Sequence, residues 1–158
     1  MIKPLLLAAS ITAAFGAGAA LQDDAKSQEA ERTAIERAAL DYIEAFCEGK
    51  PELLERSVHP ELAKIGFWQE PDASEPELHA MTREEAIELA GTLKASGHVP
   101  EGAEHEVRVL AHDGRIAAVE VNAFWGKDYM HLIRDDDRWR IRHVIWQGPP
   151  KSSGGGEH

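Results

Sequence analysis

A chain of 158 residues with 28 acidic against 17 basic side chains, formal net charge −11, has the length of one ordinary domain and an acidic surface. That balance repels phosphate backbones, and the basic residues are scattered rather than gathered, so nucleic acid is excluded as an expected partner. A single cysteine, Cys47, excludes an intramolecular disulfide and any thiolate pair.

The first stretch, MIKPLLLAASITAAFGAGAA, places Lys3 before an apolar run over residues 5–15 and then the small-x-small sequence Ala17-Gly18-Ala19. This is the layout of a cleavable signal peptide over 1–20. The apolar run falls short of the about 20 residues that a membrane span needs. The expectation is a periplasmic or secreted protein with no membrane insertion after cleavage. Cys47 is not at the mature N-terminus, which rules out a lipid anchor there, and its place on an apolar stripe suits a buried, inert thiol.

Residues 21–30 are polar and are expected to form a flexible N-terminus ahead of a domain over 31–147. Ile35, Ala38, Ala39, Tyr42, Ile43, Phe46 and Cys47 recur at helical spacing, an amphipathic helix that Gly49 ends. Pro51 opens a short second helix with Leu53, Leu54 and Val58 inward, stopped near His59-Pro60. LAKIGFW, within 61–80, reads as a short strand followed by a loop, QEPDASEPEL. A third helix starts at Thr82, where Thr82 and Glu85 have capping-box spacing, and its inner face uses Ala86, Leu89, Ala90 and Leu93 up to Gly97.

After Pro100 the period changes from 3.6 to 2. Val107 and Val109 alternate with charged residues, and Asp113-Gly114 supplies hairpin chemistry. Val119, Val121, Ala123 and Trp125 then alternate up to a turn at Gly126-Lys127, and residues 135–138 (DDDR) make a further turn. Four strands in an antiparallel meander after three helices give an α+β fold, helices packed on one face of a curved sheet. The tail 148–158, rich in Gly, Ser and Pro, is expected to be disordered.

On the last strand, alternation puts Trp139, Ile141, His143 and Ile145 on one face, with Arg138, Arg140, Arg142, Val144 and Trp146 on the other. The first set is core-like, which points His143 inward. A hairpin loop over 134–138 sets Tyr129 opposite His143, whereas a slip of one residue would place Met130 there and turn every side chain over. The preferred register leaves Trp125, Tyr129 and His143 on one concave surface. Buried histidines and tryptophans are more often core residues than ligand contacts. A curved sheet half-covered by helices nevertheless leaves a cavity, and polar groups converging in an apolar cavity are where a ligand is sought.

Three segments carry a family resemblance: ALDYIEAFCEGKPELLERSVHPELAKIGF at 39–67, MTREEAIELA at 81–90, and DYMHLIRDDDRWRIRHVIW at 128–146. Together they resemble the nuclear-transport-factor-2-like (NTF2-like) superfamily, in the branch labelled lumazine-binding and related to polyketide-cyclase-like (SnoaL-like) and ketosteroid-isomerase-like groups. The resemblance implies a cone, with three helices around a curved mixed sheet and a pocket at the wide end. It also implies a homodimer through the outer sheet face, where Arg140, Arg142 and Trp146 would lie, and a small aromatic or heterocyclic ligand. Enzymes of this fold place a carboxylate, or a histidine with a carboxylate, in an apolar pocket. His143 as base, Tyr42 or Tyr129 as hydroxyl donor and Asp128 as orienting carboxylate are the matching candidates. The isomerase pattern of a tyrosine with two buried acids is not evident.

Other chemistries drop out. His98, His105 and His112 recur every seven residues but share no helical face and lack paired zinc spacing, so neither a metal nor another cofactor is expected. There is no phosphate-binding glycine loop and no G-x-S-x-G serine. The leading expectation is a non-catalytic binding module whose pocket is lined by Tyr42, Trp125, Tyr129 and His143. The alternatives are a small acid/base enzyme, an isomerase or dehydratase working through His143, and a dimeric interaction module with a filled pocket.

Overall fold

The computed structural model describes residues 15–70 and 72–149, with side chains from residue 21 onward. The chain divides into two units, 1–31 and 32–158. The expected signal segment lies mostly outside the described residues.

Helix α1 spans Phe15–Glu48. Ile35, Ala38, Ala39, Tyr42, Ile43 and Phe46 are all buried, so the stripe read from their spacing is the packed face. Gly49 takes a left-handed φ of +69°, and the Lys50 N–H closes the end on the Ala45 carbonyl at 3.0 Å. Residues 21–30, expected to be a flexible lead, are helical and exposed. Alanine, glutamine, glutamate and lysine are strong helix formers, and propensity carries the helix where no apolar face exists.

Helix α2 spans Pro51–Ser57 and is tied to α1 by a fork. Arg56 gives two hydrogen bonds of 2.7 Å to the buried Asp41 carboxylate, and Arg37 adds one at 2.9 Å. Helix α3, Arg83–Thr92, begins with the expected capping box: Thr82 Oγ1 accepts from Glu85 N–H, and the Glu85 carboxylate accepts from Thr82 N–H.

Among the described residues the sheet has six strands, the expected meander of four, the strand expected at LAKIGFW and one more: β1 Val58–Trp68, β2 Glu77–Met81, β3 Glu106–Asp113, β4 Ile116–Ala123, β5 Gly126–Asp135 and β6 Arg138–Gln147. Their order is β2-β1-β6-β5-β4-β3. The meander β3 to β6 is antiparallel as expected, while β1 joins β6 in parallel and β2 pairs antiparallel with β1. Strand β2 starts inside the expected loop, at Glu77 and Leu78, because five residues are too few for an alternation to stand out. The fold is α+β, three helices with a mostly antiparallel sheet.

Two local departures decide which residues face the helices. Ala123 pairs with Gly126, so the β4–β5 turn is Phe124-Trp125 and not Gly126-Lys127. On β6, His131 pairs with His143 while Leu132 pairs with Ile141, which leaves Arg142 as an extra, bulged residue. The Arg142 guanidinium donates to the Glu61 carbonyl and carboxylate, where the β1–β6 register is also broken. Trp139 and Ile141 point into the core before the bulge, and Val144 does so after it. His143 and Ile145 therefore face out.

The same register puts Asp128, Met130 and Leu132 of β5 inside, with Tyr129 and His131 outside. At the chain's end Gly148 is buried and its N–H reaches the Phe67 carbonyl at 2.9 Å, so the part of the expected tail that is described is anchored on β1. Residues 150–158 lie outside the described residues.

Candidate ligand-binding site

The inner faces of β1 and β6, helix α1, the β4–β5 turn and the segment around α3 enclose a cavity of about 580 Å³. One wall is a packed aromatic group. Tyr42 and Phe46, one helical turn apart on α1, meet edge-on at 5.1 Å between ring centroids, and Phe46 meets Trp125 at 5.5 Å. The opposite wall is Trp68 of β1 beside Trp146 of β6, 6.3 Å apart.

Lys64 stands between the two walls. It is 8% exposed, and its ammonium lies 5.5 Å from the Tyr42 ring centroid and 5.1 Å from that of Trp146. Its hydrogen bond goes to the Tyr42 hydroxyl, at 2.7 Å. Behind this pair lies Asp128, fully buried, with Oδ1 accepting from the Trp125 indole N–H at 3.0 Å. Asp128 Oδ2 has no well-formed hydrogen bond, and the influence of Asp128 on Tyr42 and Lys64 is chiefly that of its charge.

Burial dominates the ionisation of all three groups. It lowers Lys64 from its ordinary 10.5 against the opposing pull of Asp128. It raises Asp128 from 3.8 against the pull of Lys64 and the Trp125 hydrogen bond. It raises Tyr42 well above 10.0, with the Asp128 charge adding to the shift.

The signs of the resulting pH dependence differ. Below 10.5 the folded chain holds fewer protons on Lys64 than the unfolded chain, so the lysine's contribution to stability rises with pH as the solution passes through the lowered value. Asp128 works oppositely: its contribution is full below 3.8 and is lost as pH rises through the raised folded value. As pH rises towards the ordinary 10.5, wild-type stability is expected to rise relative to Lys64→Met, measured by urea denaturation of both at each pH. Parallel curves would show that Lys64 is not desolvated.

Of the four residues expected in the pocket, two are there. Tyr42 and Trp125 line the cavity. Tyr129, 49% exposed, and His143 lie on the outer sheet face, because the bulge at Arg142 reverses the assumed alternation. His143 packs its ring against His131 at 5.9 Å and does not reach the cavity. Trp146, expected on the outer face, is a cavity wall.

Sequence reasoning missed Lys64 altogether. The available signal was its parity: Leu62, Lys64, Gly66 and Trp68 share one face of β1, and Leu62, Lys64 and Gly66 are buried. Gly66 is required there, since a Cβ at this position would sit 2.3 Å from the Trp146 carbonyl and 2.4 Å from its indole. Among the described residues no group of three His, Cys, Asp or Glu side chains could hold a metal ion, and no helix is long and apolar enough to cross a membrane.

A family model described as "Putative lumazine-binding" matches residues 30–147, most of the chain. The protein belongs to this NTF2-like family. Solved structures of NTF2-like proteins of unknown function agree with that placement at the level of fold. One from Silicibacter pomeroyi DSS-3 is 17% identical with a TM-score of 0.61, covering 77% of this chain and 98% of its own. One from Shewanella baltica OS155 is 14% identical at 0.62, covering 76% and 94%. A structure titled as a putative scytalone dehydratase, from Novosphingobium aromaticivorans DSM 12444, is 15% identical at 0.53, covering 80% and 89%. No curated protein matches the sequence. The three helices and six-stranded sheet are thus the NTF2-like cone, and the cavity is the cone's interior.

Proposed function

We propose that this family member binds a small, flat aromatic or heterocyclic molecule in the cone and catalyses no reaction on it. The observation that carries this reading is the cavity itself. Its about 580 Å³ falls inside the range typical of small-molecule sites, roughly 300–1,000 Å³, and aromatic rings on two sides meet a few buried polar groups. Stacking and edge contacts with Trp125, Trp68 and Trp146 suit a planar ligand. An acid/base enzyme working through His143 draws no support from the site, because that imidazole is on the other side of the sheet.

The protein is exported in this reading, on the strength of the leader over residues 1–20. It also pairs as a homodimer through the outer sheet face. Ile65, Ile145 and Tyr129 are register partners across β1, β6 and β5, and Phe67 lies beside them, all exposed. A contiguous apolar row of that kind favours burial against a second copy.

The test is calorimetric titration with 2-naphthalenemethanol, a neutral two-ring probe. Saturable binding at one site per chain is expected, weakened about tenfold or more by Trp125→Ala, a loss on the scale of one ring contact. Absence of saturable binding up to millimolar concentration, by this probe and by a charged two-ring analogue alike, would sink the reading.

A further inference from the structure

We infer that the ligand is an anion: a planar aromatic acid whose ionised group is held by Lys64 and the Trp146 indole N–H. This rests on the binding reading above and names the chemical class that the pocket selects.

An ammonium carries three N–H bonds. Among the described residues the only hydrogen bond from Lys64 goes to Tyr42, and the residue lines the cavity while 8% exposed. Trp146 lines the same cavity, its ring 5.1 Å from the Lys64 ammonium, and its indole nitrogen is buried without a hydrogen-bond partner. An indole N–H can only donate. His79 of β2 also lines the cavity, and its unpartnered, buried Nε2 can donate or accept according to tautomer. Buried donors left unmade are costly, so an acceptor brought into the cavity beside Lys64 and Trp146 would satisfy groups that the protein itself leaves unmade.

Charge points the same way. Asp128 offsets part of the Lys64 charge from behind, yet Oδ1 is engaged by Trp125 and no hydrogen bond joins it to the lysine. Glu70, the one carboxylate lining the cavity among the described residues, is exposed to water, where screening weakens its repulsion. A carboxylate or phenolate between Lys64 and Trp146 would gain an ion pair and a charge-assisted hydrogen bond away from water, with its ring carried by the tryptophan walls.

Competition between two matched probes tests this: 2-naphthoate, which is ionised at neutral pH, against the neutral 2-naphthalenemethanol. The wild type is expected to bind the naphthoate about ten- to a hundredfold more tightly, the range for hydrogen bonds to a charged group. Lys64→Met should erase that preference while still binding the alcohol, which shows the cone intact. Trp146→Phe, keeping a ring but no N–H, should reduce the preference in part. Equal affinity of the wild type for both probes, or a preference that survives Lys64→Met, overturns the anion assignment and leaves aromatic binding standing. If neither probe binds the wild type, the binding reading falls and the anion assignment with it.

Discussion

Tyr42→Ala is expected to lower the free energy of unfolding by about 3–5 kcal/mol, the range for removing a fully buried aromatic ring. Tyr42 has no exposed surface and is one of the largest fully buried side chains. Its ring packs on Phe46 at 5.1 Å and Trp125 at 6.3 Å, so the truncation opens a void that the α1 face cannot refill. The loss is large against the 5–15 kcal/mol of a typical domain. Tyr42→Phe separates hydroxyl from ring. It leaves the Lys64 ammonium without its protein acceptor and is expected to cost about 1–3 kcal/mol. Urea denaturation reads both, as a fall in midpoint at unchanged slope. A Tyr42→Phe variant as stable as the wild type would show that solvent, not the tyrosine, satisfies Lys64.

Gly66→Ala carries the second large effect, and its sign runs against habit. Glycine weakens a strand, so alanine there would ordinarily help. At residue 66 the added methyl would meet the Trp146 backbone at 2.3 Å, and backbone cannot step aside as a side chain can. Strand β1 must move away from β6 or Trp146 must leave its seat, with a cost of about 1–3 kcal/mol or more from overpacking. Gly91 in α3 is the contrast, since a methyl there finds ordinary contact at 3.7 Å from Pro51. Gly91→Ala is expected to stabilise by about 0.5–1 kcal/mol. Equal effects at the two positions in thermal or urea unfolding would refute the close approach of β1 and β6. Near-ultraviolet circular dichroism should report a displaced indole in Gly66→Ala alone.

Those two residues mark how far the sequence could be read. The helices were legible because their signals are local: the Ile35-to-Phe46 spacing, the Thr82–Glu85 box, Pro51 at the start of α2 and the glycine that ends α1. The antiparallel meander was legible for the same reason, from a change of period and three turns. Tyr42 lines the cavity from the helical face on which its spacing put it. Pairings made across long stretches of chain were not legible. The parallel alignment of β1 with β6 joins residues about eighty positions apart, and no short pattern announces it. Lys64 therefore looked like an ordinary charge in an apolar run, although it sits between both aromatic walls. Tyr129, expected on the concave surface, faces out, and its neighbour Asp128 takes the buried side.

The bulge at Arg142 has a consequence for how this pocket can change over generations. A strand without it keeps a single parity from end to end, and one inserted residue exchanges inside for outside over everything that follows. With Arg142 taken up by the bulge, Ile141 and Trp146 share the inner face although five positions separate them. A strand that kept Arg142 but lost the bulge would turn Trp146 out towards solvent and bring Ile145 under the helices. Deleting Arg142 outright would instead restore plain alternation with both faces as they stand, so one codon can come or go at this point without moving the aromatic wall.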